Sequence, residues 1–307
     1  MTLESPAVTE TARPTSLSDT LRMLGKLFKF RVVLLLLWAA MGGAFLGAGG
    51  LPPVRTLLTL LVTGALAAGG ASAINEYVEQ DIDARMLRTQ GRPLPTGQIR
   101  RPWIVLAIAA LMILAAILIA LPTNPMMALY LGLGAAIYVG VYTLWLKPRS
   151  VVNIVIGSAA GSCAVMTGGA AVGAAADPAV IVLALLLFTW SPTHFWALAL
   201  YYKDDYARGR FPMLPVNTSP RTTSWWIFLH TASTALAALA LALTPQLGWP
   251  YLLPAGAITF LLLARSIRLI RTPERRQAIG LFITSNIFLL VILLSIIAVT
   301  TGRHLLS

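Results

Sequence analysis

Four acids and three arginines crowd between Asn75 and Pro93, in a chain of which only 11% is charged. On a helix of about 3.6 residues per turn, Asn75, Glu79 and Asp83 stand at i, i+4 and i+8, so their oxygens line one face. Glu76 turns partly away from that face and Asp81 points elsewhere. Hard oxygen ligands suit Mg²⁺, which keeps several waters and takes one or two carboxylates together with phosphate oxygens. Arg88, Thr89 and Arg92 follow directly, and they are donors matched to phosphate. An acid stripe succeeded by an arginine cluster is what a Mg²⁺-diphosphate site requires. The acids hold the metal, and metal and arginines together hold a polyanion that the acids alone would repel. The competing reading is an ordinary set of ion pairs at a helix end, which the spacing does not exclude.

A second mixed stretch, "HFWALALYYKDDYARGRFPMLPV", runs from His194 to Val216. Counting back from Asp205, helical spacing places Tyr201, Leu198 and His194 close to one face. Asp204 and Asp205 would then mark the mouth of a helix, with His194 roughly 16 Å deeper at about 1.5 Å per residue. His194 could equally serve as a hydrogen-bonding group between helices.

The elements that must carry these residues are membrane spans. The sequence is 57% hydrophobic, with a mean hydropathy of +0.78. Its apolar stretches are of spanning length, about 20 residues. Nine spans are predicted, near residues 30–49, 56–80, 102–121, 125–146, 151–173, 179–202, 223–244, 249–270 and 278–301. This is an all-α membrane protein in which residues 1–20 form a disordered cytoplasmic tail and residues 21–307 one nine-helix domain. The single Cys163 excludes a disulfide framework and a cysteine metal cluster.

A net charge of +12 invites a nucleic-acid reading, but its distribution does not. Of the 23 Lys and Arg residues, all but Arg55 and Arg303 fall in the N-terminal segment or in the connections after spans two, four, six and eight. By the positive-inside rule that side is cytoplasmic, in a plasma (inner) membrane. The lipid bilayer, and no nucleic acid, is the expected partner of this charge. "RSIRLIRTPERR" serves orientation and contact with anionic headgroups.

The residues now quoted resemble the UbiA-type intramembrane prenyltransferases and, within them, the protoheme IX farnesyltransferase branch, also called haem O synthases. The first motif of that family is similar to Asn75, Glu79, Asp83, Arg88-Thr89 and Arg92-Pro93. The stretch from His194 to Val216 resembles the haem branch's signature over its whole length, with Tyr201 where other members carry the first of two aspartates. "YTLWLKPRSVVNIVIGSAAG", from Tyr142 to Gly161, resembles the family's connection between spans four and five. The resemblance implies nine helices around a central cavity, and transfer of a farnesyl group from farnesyl diphosphate to haem b, with water added and diphosphate released. It implies Mg²⁺ as cofactor, bound by Asn75, Glu79, Asp83 and Asp205, with Asp204 beside them. Diphosphate contacts fall to Arg88, Thr89, Arg92, Lys147 and Arg149; Asn153 would position the cation or its water. His194, Tyr142 and Tyr201 would meet substrate, His194 through the haem iron or a propionate. A haem A synthase or an oxidase-assembly factor is the partner class implied.

The chain departs from the family at Lys29-Phe30-Arg31, where Lys-Pro-Arg is usual, at Pro192-Thr193, where Pro-Pro is usual, and in span five around "SCAVMTGG". The last change touches a wall of the acceptor pocket and puts acceptor identity in question, with a phenolic acid such as 4-hydroxybenzoate as the alternative. A transporter would place ionisable residues near the midplane of several spans or show an inverted repeat. Neither is visible here.

Overall fold

A backbone in hydrocarbon has to satisfy its N–H and C=O groups within each segment, so a long apolar run has no alternative to helix. A computed structural model, which describes residues 16–306, makes each predicted run a helix and contains no strand among those residues. In chain order the elements are α1 (Leu17–Leu27), α2 (Phe30–Ala48), α3 (Val54–Asp83), α4 (Pro102–Ala120) and α5 (Pro125–Ala136), which continues as a π-helix over Ile137–Leu146. Then come α6 (Asn153–Ala171), α7 (Pro178–Tyr201), two short helices α8 (Lys203–Arg208) and α9 (Leu214–Asn217), and finally α10 (Pro220–Leu241), α11 (Gly248–Arg271) and α12 (Arg275–Leu306). Among the described residues, nine helices are long and apolar enough to cross a membrane, and they coincide with the nine predicted spans to within a few residues at each end.

Two expectations change. The predicted tail ends sooner, because Ser16 caps α1 by accepting the Asp19 N–H at 3.1 Å and the helix is under way at Leu17. Residues 1–15 of that tail lie outside the described residues. The polar stripe from His194 to Asp205 is also broken. Helix α7 stops at Tyr201, the Tyr202 N–H bonds the Leu198 carbonyl, and Asp204 and Asp205 belong to the first turn of α8.

Packing between spans rests on close approach, since lipid tails are as apolar as leucine and give helices little hydrophobic reason to associate. Helices α2 and α6 cross where Gly43 and Gly168 stand; a Cβ at Gly168 would run into the Ala40 carbonyl, and one at Gly43 into that of Val165. Helix α12 packs on α11, α7 and α2, which brings the end of the bundle back to its beginning. Leu111, Leu118, Leu236 and Phe260 face outward, as lipid-facing side chains should. Inside lies a cavity of about 430 Å³, walled by α2, α3, α5 with its π-helical end, α6, α7 and α12.

Candidate active site

Asn75, Glu79 and Asp83 leave α3 on the cavity side, each no more than 3% exposed, so their shared face is turned inward and not toward water. Each is met by a cation from a different element. The Lys29 ammonium, between α1 and α2, donates to Asn75 Oδ1. Lys147 Nζ, just past the π-helix, lies 2.5 Å from Glu79 Oε1. The Arg92 guanidinium, from the loop after α3, pairs with Asp83 Oδ2. Two buried carboxylates would be expensive alone; paired with buried cations they are tolerable.

The amide of Asn75 is oriented by the π-helix. Its Nδ2 donates to Thr143 Oγ1 at 3.0 Å, and Thr143 Oγ1 donates to the Tyr138 carbonyl, five residues back, at 2.8 Å. That leaves Asn75 Oδ1 to Lys29 on the cavity side. The wide turn of a π-helix is rare and is frequently found at functional sites. Here it sets Tyr138, Tyr142 and Lys147 along one wall of the cavity. Lys29 has left-handed backbone geometry, φ 50, a strained conformation for a non-glycine residue and a frequent mark of a working position. Burial, and then the Arg92 charge, lower its ammonium to about 7, against the opposing pull of Glu79. Arg92 is held above its usual value: burial works against the charge, and the Asp83 carboxylate outweighs it.

The loop after α3 is fastened by side chains that do not face the cavity. Asp205 accepts the Leu87 N–H at 2.7 Å, the Arg88 N–H at 3.1 Å and an Arg208 N–H at 2.8 Å. Burial alone would raise this carboxyl; the hydrogen bonds from Arg208 and the two amides outweigh it and hold it below the usual carboxylate range. Glu76, fully buried, accepts the Leu94 N–H at 3.4 Å, and Thr89 Oγ1 donates to the Asp83 carbonyl at 3.0 Å. Arg88 lines the cavity with its guanidinium over the rings of Tyr202 and Tyr206, and Lys147 sits 4.5 Å from the Phe211 ring centre. Segments more than a hundred residues apart thus form one cationic rim.

Deeper along the same cavity, His194 packs against the rings of Trp190 and Phe282, each with its centre 4.5 Å away. Its Nδ1 is 2.9 Å from Ser285 Oγ. A charged mouth of hard oxygens and cations therefore opens onto an apolar interior with one imidazole.

The donor set suits a magnesium ion. Two carboxylates and an amide oxygen converge on one surface, and no ready-made cage of three His, Cys, Asp or Glu side chains exists among the described residues. A hard cation that completes its shell with water and phosphate oxygens fits such a site better than one needing an all-protein cage.

Residues 36–298 match the UbiA prenyltransferase family. The chain belongs to that family. It is an enzyme that transfers prenyl groups, embedded in a membrane by several helices. This UbiA-family protein is 40% identical to a protoheme IX farnesyltransferase of Metallosphaera sedula over 92% of its own length and 98% of that protein's. It is 38% identical to protoheme IX farnesyltransferase 2 of Paramagnetospirillum magneticum, covering 91% and 97% of the two chains. Among solved structures it resembles a digeranylgeranylglyceryl phosphate synthase (TM-score 0.77, 14% identity, 92% of this chain and 99% of the other). It also resembles a UbiA homolog from Archaeoglobus fulgidus bound to GPP and Mg²⁺ (TM-score 0.59, 16% identity, 90% and 99% covered).

Against this UbiA fold, the residues singled out in the sequence separate into two groups. Asn75, Glu79, Asp83, Arg88, Arg92, Tyr142, Lys147 and His194 share one cavity. Asp205 and Asp204 do not reach it. The oxygens of Asp205 are taken by the amides of Leu87 and Arg88 and by Arg208, and Asp204 pairs at the surface with Arg275 at 2.5 Å. Arg149 turns back onto the Leu144 and Trp145 carbonyls at 2.8 and 3.0 Å. Thr89 is buried on the backbone, and Tyr201 stacks edge-on against Tyr202. Asn153, fully buried, donates to the Ser150 carbonyl at 2.6 Å and leaves its own Oδ1 without a partner. The sequence reading missed Lys29, Thr143, Tyr206, Phe211 and Ser285. Only Lys29 carried a signal, in the Lys-Phe-Arg that stands where the family has Lys-Pro-Arg.

Proposed function

We propose that this UbiA prenyltransferase is a protoheme IX farnesyltransferase, converting farnesyl diphosphate, haem b and water into haem O and diphosphate. The names of relatives aligned over nearly the whole chain support the haem and farnesyl specificity. The observation that carries the chemistry is the buried stripe of Asn75, Glu79 and Asp83, faced by Lys29, Arg88, Arg92 and Lys147 at the mouth of an apolar cavity.

Asn75, Glu79 and Asp83 would hold Mg²⁺, the ion that a homolog of this fold binds together with GPP. When bound, the metal neutralises the diphosphate oxygens that gather charge as the allylic C–O bond breaks. Lys29, Arg92 and Lys147, which pair with the stripe, stand at the cavity mouth where their charges would serve the diphosphate. Arg88, held by Asp205 through its backbone and by two tyrosines through its side chain, adds a donor that needs no rearrangement. Tyr138 and Tyr142 line the cavity where the farnesyl chain would lie, and their π systems favour a cationic carbon. Leu36, Ala67 and Leu131 line the same interior and keep water from the allylic cation until the haem vinyl captures it. His194 meets the tetrapyrrole. The rim of basic loops is assigned to the cytoplasmic face of the plasma membrane by its charge.

The test is incubation of purified protein with haem b, farnesyl diphosphate and Mg²⁺, with haem O detected by mass. EDTA should stop its formation. A parallel incubation with 4-hydroxybenzoate should yield no prenylated product; a prenylated benzoate without haem O would reject the haem acceptor.

A further inference from the structure

We infer that Ser285 is a positioning residue that fixes His194 as its Nδ1–H tautomer, so that Nε2 offers a lone pair to the cavity and binds the central metal of a metallated tetrapyrrole, not a propionate. The inference rests on the tetrapyrrole acceptor proposed above. Ser285 Oγ has one proton and two close neighbours. It lies 2.7 Å from the Phe282 carbonyl oxygen and 2.9 Å from His194 Nδ1. A carbonyl has no proton to give, so the hydroxyl proton fills the contact to Phe282, and Oγ turns a lone pair toward the imidazole. The ring must then carry its proton on Nδ1. In a neutral imidazole the other nitrogen is an acceptor.

Three observations hold that arrangement in place. The Trp190 indole donates to the Ser285 carbonyl at 2.9 Å, tying α7 to α12 through the same residue whose hydroxyl meets His194, four residues along α7. Trp190 stacks on the imidazole and Phe282 lies tilted against it, each with its centre 4.5 Å away, and Phe195 meets it edge-on at 5.0 Å, so three rings crowd the imidazole. Nε2 makes no hydrogen bond among the described residues, although His194 lines the cavity. An imidazole whose far nitrogen is anchored through an N–H, with the near nitrogen bare, is the arrangement proteins use to present histidine to a metal. A propionate would instead require an Nε2–H beside the Nδ1–H, hence a charged imidazolium, which burial among the Trp190, Phe195 and Phe282 rings disfavours.

The experiment titrates detergent-solubilised protein with ferric haem b, zinc protoporphyrin and metal-free protoporphyrin, followed by absorption in the Soret region. Wild type should bind both metallated forms with the spectrum of a nitrogen-ligated metal. His194→Gly should weaken those two by about tenfold or more and leave metal-free protoporphyrin unchanged, with added imidazole restoring the ligated spectrum. Ser285→Ala should weaken metal ligation by about tenfold, and Ser285→Thr, which keeps the hydroxyl, should restore it. Equal weakening of metallated and metal-free ligands by His194→Gly would overturn the inference in favour of a propionate or wall contact. So would an unchanged spectrum in Ser285→Ala. Failure of the folded wild type to bind any of the three would reject the tetrapyrrole reading itself, and this inference with it.

Discussion

Glu79 and Lys147 show how much charge this site keeps out of water. Their side chains are 4% and 12% exposed and 2.5 Å apart, so each is tolerable only because of the other. Lys147→Met should therefore destabilise the protein by about 3 kcal/mol, by leaving Glu79 buried and unpaired. Adding Glu79→Gln should recover most of that loss in thermal unfolding in detergent, yet the double variant should form no haem O. Ala at Glu79 or Asp83 should likewise abolish haem O, by at least about a hundredfold, while immunoblots find the protein still in the membrane. Full activity in both would remove the stripe from the metal site. The stripe was legible in the sequence because three residues at i, i+4 and i+8 are a local pattern. Which cation meets which oxygen was not, since Lys29 and Lys147 arrive from other helices.

The loop after α3 is the element whose shape decides where Arg88 and Arg92 stand. It has no regular structure of its own to hold it, and Asp205 and Glu76 supply bonds to its Leu87, Arg88 and Leu94 amides. A hydrogen bond to a charged group is worth about 1.5–3 kcal/mol, so Asp205→Asn should speed hydrogen exchange at the Leu87 and Arg88 amides by roughly tenfold to a hundredfold. The Asp205 carboxyl titrates lower folded than unfolded. Its contribution is thus complete above the ordinary carboxylate range and is lost as pH falls through the depressed folded value. Wild-type exchange should converge on that of Asp205→Asn only in acid. An Asn variant as protected as wild type at neutral pH would show that the clamp is not Asp205. The sequence placed Asp205 on a continuous helix with His194; in the structure the helix breaks at Tyr202 and the Asp205 carboxylate accepts the amides of the opposite loop.

At the scale of the whole molecule, the bundle depends on where helices can approach. Gly168→Leu would push α6 off the Ala40 carbonyl of α2 and should lower stability by about 1–3 kcal/mol, read as a lower unfolding midpoint in detergent. The same change at Gly256, where a Cβ would meet nothing within 4 Å, should leave that midpoint nearly unchanged. Topology is the second global property. Reporter fusions in the loops after α3 and α7 should be active only as cytoplasmic reporters, and one in the loop after α4 only as an external one. A reversed pattern would overturn the orientation read from the basic residues.

The sequence by itself determined the nine spans and which loops between them carry the basic residues, because span length and loop charge need no knowledge of neighbours. It also determined the stripe on α3, because helical periodicity is local. Only the tertiary structure decided that Lys29, Arg92 and Lys147 pair with that stripe, that a π-helix orients Asn75 through Thr143, and that Ser285 meets His194 Nδ1. Those assignments depend on contacts between helices far apart in the chain, and no spacing along one segment encodes them.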